Sequence, residues 1–404
     1  MRLTVQSEGY LMNMKNLVKQ TAWRIYKTRY FDNVRTRIGH AKFFYLKGKT
    51  KRTNCDLSLL LFAGENVVNY ISDLAYMEKP QIETVGNTTY NRIPSIIANL
   101  KPDIIFADVH EVFSKFFSKA FLMLPYVIST LDISAPWETI YARMKRVRKR
   151  NIRETYGFSY DYEITRARDK FHSFYQEMYL PFILKRPAKL SGFTPIDPAS
   201  EMFSRGGLVL IKLKDRNVAG ILYHLVNETL HCALMAYDDG LAGQAALYFL
   251  IKWAKEKGYK EIHYGTTPPF MNDGLYLYKR SWGMKVNNNP KRMLAIRFNN
   301  FEKAVQDFLL DNPFIFRHST SLIGLILLNT NNVNLSVLHH KYYTRGLNKL
   351  LILYPARDAR THKMLNAGDC HVPVLEPLTS LIKLVSQKNF NIRLIDFSEE
   401  ESNS

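Results

Sequence analysis

Between residues 207 and 298 the apolar residues change their spacing in a fixed order, and few folds accommodate that order. Residues 208–213, 218–226 and 229–237 read as three strands, parted by the polar turns Asp215-Arg216-Asn217 and Asn227-Glu228. Turns that short make neighbouring strands antiparallel. The spacing then lengthens to that of a helix over residues 244–257, with Ala246, Leu247, Leu250, Ile251 and Ala254 on one face and Gly258 at its end. A strand (261–264), a Thr-Thr-Pro-Pro loop, a short helix (275–281) and a last strand (293–298) complete the run. Upstream, Phe158, Tyr160, Tyr162 and Ile164 alternate with polar residues in a strand pattern, and residues 167–185 and 198–203 read as helices. Interleaved helices and largely antiparallel strands predict an α/β protein of the mixed-sheet (α+β) kind.

The short helix carries the block Gly274-Leu-Tyr276-Leu-Tyr278-Lys279-Arg280-Ser-Trp282-Gly283. It is similar to the Gly…aromatic-Lys…aromatic-Gly signature of one acyltransferase branch. With the element order, it makes the chain resemble the GNAT superfamily, in the branch holding CelD-like acetyltransferases and FemABX aminoacyl-transferases. The resemblance covers residues 135–300 best. It implies tandem GNAT-like halves, a degenerate one within residues 1–135 and the acyltransferase domain over 158–300; apolar spacing reads a basic linker helix over 136–157, and past the resemblance a C-terminal α/β extension over 301–404.

The resemblance also implies a site. Lys279 would stabilise negative charge on substrate or intermediate, or hold a phosphate. Tyr278 would wall the acceptor pocket, with Tyr276, Arg280, Trp282 and Arg153 beside the substrate. The donor, acyl-coenzyme A, needs backbone N–H groups for its pyrophosphate, and a helix N-terminus supplies them. Tyr237, Asp238, Gly240, Gly243 and Ala245 lie at such a turn. Gly243 and Ala245 match the end of the superfamily's Gln/Arg-x-x-Gly-x-Gly/Ala loop, but Gly240 stands where Gln or Arg is usual. The bland alternative is a strand-to-helix turn that needs glycine for its shape. His263 is the first candidate base, with His224 and His231 on neighbouring strands. The arrangement requires two strands to part near Tyr237 and Gly265, leaving a slot that Lys279 enters.

The chain has 404 residues and a formal charge of +20. That excess attracts phosphate-bearing donors, nucleic acid or anionic headgroups and says nothing of fold. Lys145, Arg146, Arg148, Lys149, Arg150 and Arg153 crowd the linker helix, facing an anionic partner or simply water. Residues 1–50 mix aromatics with cations, reading as a membrane or nucleic-acid arm or as a packed helix. Three scattered cysteines make neither a disulfide framework nor a metal site, and no metal is expected. No signal peptide is read at the N-terminus and no run is long enough to span a bilayer, so the expected setting is cytoplasmic or peripheral at the inner membrane face.

The leading expectation is direct acyl transfer from acyl-coenzyme A to an amine or hydroxyl of a small-molecule, glycan-linked or lipid-linked acceptor. Its rivals are transfer from aminoacyl-tRNA and a non-catalytic nucleic-acid or membrane-surface binding protein on the same scaffold.

Overall fold

The computed structural model of the protein describes residues 41–88, 93–110, 119–185, 193–227, 229–287, 292–356 and 376–397. Among these residues the strands form two mixed sheets. The first runs, edge to edge, β17 (Phe390–Asp396), β16 (Lys349–Pro355), β15 (Ser321–Leu327), β14 (Phe314–His318), β5 (Phe121–Met123), β13 (Arg292–Phe298), β4 (Ile104–His110), β2 (Asp56–Phe62), β1 (Ala41–Lys49) and β3 (Gln81–Thr88). The second runs β12 (Lys285–Asn287), β6 (Val127–Asp132), β11 (Glu261–Thr267), β10 (Thr229–Tyr237), β9 (Arg216–Val226), β8 (Gly206–Leu213) and β7 (Tyr160–Thr165). The expected mixed α/β architecture is present.

Each sheet buries both faces. Over the first, α1 (Glu65–Ala75), α10 (Lys303–Asp311) and α12 (Glu376–Ser386) cover one side, while α2 (Ile93–Leu100) and α11 (Leu335–Tyr342) pack on the other. On the second, α8 (Gly240–Glu256) lays Ala246, Leu247, Leu250, Ile251 and Ala254 against β8, β9 and β10, with α4 (Arg146–Gly157) alongside. The opposite face holds α5 (Arg168–Ser173), a π-helical turn (Phe174–Tyr179), α6 (Leu180–Leu184) and α7 (Ile196–Ser204). Helix α9 (Gly274–Ser281) lies between the sheets. Its Tyr276 packs into the core of the first and its Tyr278 against that of the second.

Several expectations change. The boundaries at 135 and 300 cut across the sheets, because β6 joins the second and β13 pairs with β4 and β5 in the first. Within residues 301–397, β14–β17 join the first sheet and extend it. The apolar run 322–328 is mostly strand β15, buried from both sides. The linker helix is two helices, α3 (Trp137–Arg143) and α4, parted at Met144 and Lys145. That break frees Lys145 N–H to donate to Ser281 O at 2.9 Å, tying the joint to α9. The helix over 167–185 loosens to the π turn because Pro181 lacks an N–H for the carbonyl of Glu177. Phe43, Phe44 and Tyr45 belong to β1 and are buried, whereas the rest of the aromatic arm, residues 1–40, lies outside the described residues, as do 398–404.

Candidate active site

The centre of the site is a gap between parallel strands. β10 and β11 share only two register pairs, Leu230↔Ile262 and His231↔His263. Beyond them β10 follows β9, from Leu234↔Leu222 to Tyr237↔Ala219, while β11 follows β6 through Thr266↔Ile128 and Thr267↔Val127. Register irregularities between Cys232 and Leu234, and between His263 and Thr266, bend the two strands apart. Gly265 makes the second bend with φ 70, a conformation that side chains with a Cβ resist. The slot is therefore present, and it opens at Cys232, earlier than Tyr237.

Lys279 reaches it from α9. Asp273 caps that helix, accepting from Leu275 N–H at 2.9 Å and Tyr276 N–H at 3.1 Å. The lysine is 7% exposed, and its Nζ donates to Thr266 O at 2.9 Å. Burial pushes its pKa down to about 8, with Cys232 and Asp273 pulling the other way. Cys232 bears on it, its thiol raised by burial, and bears also on Tyr264, itself raised by burial. Tyr278 is pushed up to about 12 by burial, against the Arg148 guanidinium lying 4.6 Å from its ring centroid. Arg148 Nε donates to Ser281 Oγ at 2.6 Å, so one basic residue of α4 is tied to α9.

The other expected residues divide. His263 is pushed down to about 4 by burial, His231 and Lys279. Its Nδ1 accepts Gly265 N–H at 3.1 Å, which puts the neutral ring's proton on Nε2 and leaves a poor base. The ring stacks on His231 at 4.3 Å, and His231 lies 5.3 Å from His224, so the three form a ladder across β9, β10 and β11. Tyr276 is buried, its hydroxyl donating to Thr344 Oγ1 at 2.8 Å, and Trp282 is a core residue. Arg280 donates to Tyr343 O at 2.7 Å, to His340 O at 2.6 Å and to Lys341 O. These three side chains hold α9 in place and do not line the slot. Arg153 is exposed on α4.

The turn before α8 differs most from expectation. Asp239 is the N-cap, and its carboxylate accepts from Leu241 N–H at 2.8 Å and Ala242 N–H at 2.9 Å. A pyrophosphate there would compete with that carboxylate for the same donors and meet its charge. Asp238 pairs with Arg216 at 3.0 Å. Gly243 and Ala245 are buried inside the helix, and a Cβ on Gly243 would stand 2.7 Å from the Tyr237 ring. Close packing of α8 on β10 accounts for that glycine. Gly240 is the first helical residue and meets nothing.

Sequence reasoning missed Cys232, Tyr264, Thr266, Arg148 and Asp239. Gly265 directly after Tyr264 was the one local signal of a bend in that strand. Among the described residues, no group of three or more His, Cys, Asp or Glu is placed to hold a metal ion, and no helix is long and apolar enough to cross a membrane.

No protein-family model and no curated protein matches the chain. Solved structures similar to it include L-PGS from Bacillus licheniformis, at 13% identity over 66% of this chain and 88% of that one, with a TM-score of 0.33. FemX matches at 12% identity over 63% of this chain and 88% of that one, TM-score 0.36. A GCN5-related N-acetyltransferase from Kribbella flavida matches at 9% identity over 88% and 77%, TM-score 0.26. At these identities and scores the likenesses decide neither donor nor acceptor.

Proposed function

We propose that the chain is an acyltransferase that moves an acyl group directly from an activated ester or thioester to an amine or hydroxyl in the β10–β11 slot. The observation that carries this reading is Lys279, a buried ammonium held in the gap by one backbone carbonyl. Among the described residues two of its three N–H groups have no protein acceptor. A cation so placed is available to an oxyanion that develops on a carbonyl in the slot, where low polarity strengthens the interaction. The resemblance of the Tyr278-Lys279 block to the GNAT branch supports the same role.

The donor is the finer question. The Asp239 cap disfavours a pyrophosphate at α8, and with it acyl-coenzyme A held in the usual superfamily manner. Exposed Arg146, Arg150 and Arg153 on α4 present cations beside Arg148, which suits a polyanionic donor such as aminoacyl-tRNA. Acetyl-coenzyme A and aminoacyl-tRNA, each offered with hydroxylamine as a general acceptor, test both: hydroxamate formed by the parent and not by Lys279→Met supports the reading. Consumption of neither donor rejects it, and turnover of acetyl-coenzyme A alone rejects the aminoacyl preference.

A further inference from the structure

Tyr264 sits on β11 where the strands separate, between His263, which still pairs with His231, and Gly265. Its side chain is 8% exposed, and its hydroxyl is buried without a hydrogen-bond partner among the described residues. Burying a phenol O–H unpaired is unfavourable, and elsewhere the fold avoids it. Tyr276 donates to Thr344 Oγ1 at 2.8 Å and Tyr76 to Leu46 O at 3.1 Å. The groups whose charges bear on the Tyr264 hydroxyl are Cys232 and Tyr278, and Cys232 bears in turn on Lys279. Lys279 Nζ is anchored on Thr266 O, two residues along β11 from Tyr264 and just past the Gly265 bend, so tyrosine and lysine meet the same bend of the strand. Beyond His231, β10 has no strand partner on its β11 side.

We propose that the Tyr264 hydroxyl donates a hydrogen bond to the carbonyl oxygen of the acyl donor lodged between β10 and β11, completing with Lys279 a two-donor oxyanion site. This rests on the acyl-transfer reading and deepens it. The acceptor's nitrogen or oxygen bonds to the carbonyl carbon as the π electrons move to the carbonyl oxygen, where both donors meet them. Collapse restores the carbonyl and breaks the bond to the leaving oxygen or sulfur. The leaving group takes that electron pair and the proton lost by the acceptor. Tyr264 keeps its own proton throughout, which the upward push of burial on its pKa favours.

Tyr264→Phe removes the hydroxyl and keeps the ring. Denaturant midpoint and donor turnover are measured on the parent, Tyr264→Phe and Lys279→Met. The expected result is a free-protein midpoint unchanged or raised, because the hydroxyl has no partner to lose, with kcat down about 100-fold and KM within about 3-fold. A structural hydroxyl would behave oppositely: a lowered midpoint with kcat per folded molecule intact overturns the proposal. An active parent abolished by Lys279→Met yet indifferent to Tyr264→Phe overturns this inference alone and leaves acyl transfer standing. A parent inert toward both donors overturns both.

Discussion

Helix α9 presents two adjacent cations to two different surroundings. Lys279 turns into the slot, where one carbonyl receives it and burial draws its pKa down to about 8. Arg280 turns the other way and gives its guanidinium to three backbone carbonyls in and just after the last turn of α11, where the helix dipole is negative. Burial also lowers Arg280, but a guanidinium stays charged under any ordinary condition. One cation is satisfied and fixes the helix; its neighbour is short of partners and remains available. The same physical force, desolvation, thus acts on a tether bonded through each of its nitrogens in one case and on an under-bonded ammonium in the other. What separates them is the number of acceptors within reach.

Lys279→Met breaks the comparison most sharply. Transfer should fall by about 10²–10³-fold, the usual loss for one oxyanion donor. Stability should rise instead of falling, since the folded chain no longer holds an ammonium whose pKa lies near 8 against an ordinary 10.5. At pH 7 that gain is on the order of 3 kcal/mol at most, readable as a shift in denaturant midpoint. Arg280→Ala should do the reverse: lower stability by about 2–3 kcal/mol by releasing the α11 carbonyls, with kcat per folded molecule within about 3-fold of the parent. A collapse of kcat in a folded Arg280→Ala would place that guanidinium in the chemistry and erase the contrast.

The pH dependence sharpens it further. If the ammonium is the working form, activity is level below pH 8 and falls as pH rises through about 8. Stability moves the other way. Between about 8 and 10.5 the unfolded chain binds the proton that folded Lys279 has lost, so this residue's destabilising contribution shrinks as pH rises. Both slopes should vanish in Lys279→Met. A rate that climbs through pH 8 would instead assign the neutral amine as base.

The sequence makes one side of this contrast legible. Lys279 stands in a local motif, and the hairpin, helix and strand order around it follows from apolar spacing alone, so the slot could be anticipated near Gly265. Arg280 belongs to the same motif, but its partners lie some sixty residues away, and nothing local announces them. Tyr276 likewise meets Thr344 at a separation of 68. Strand membership failed for the same reason. β6 and β13 have ordinary strand patterns, yet which sheet each joins depends on partners far along the chain. Gly243 misled differently: a glycine demanded by the Tyr237 ring is indistinguishable, in one sequence, from a glycine demanded by a phosphate.

That ambiguity yields the smallest prediction. Asp239→Asn keeps an oxygen to accept from Leu241 and Ala242 but removes the negative charge at the start of α8. The helix should lose no more than about 0.5 kcal/mol, because only the charge–dipole part of the cap is gone. If a donor's phosphates approach this N-terminus after all, its KM should fall by about 2-fold, the equivalent of that same charge effect. If the donor binds along the exposed arginines of α4, KM should not respond to Asp239→Asn and should rise with Arg150→Ala or Arg153→Ala, more steeply at low salt. The two helix starts differ in what they carry: Asp273 caps the helix that brings Lys279 to the slot, while Asp239 sets a carboxylate at the start of the helix packed on the sheet.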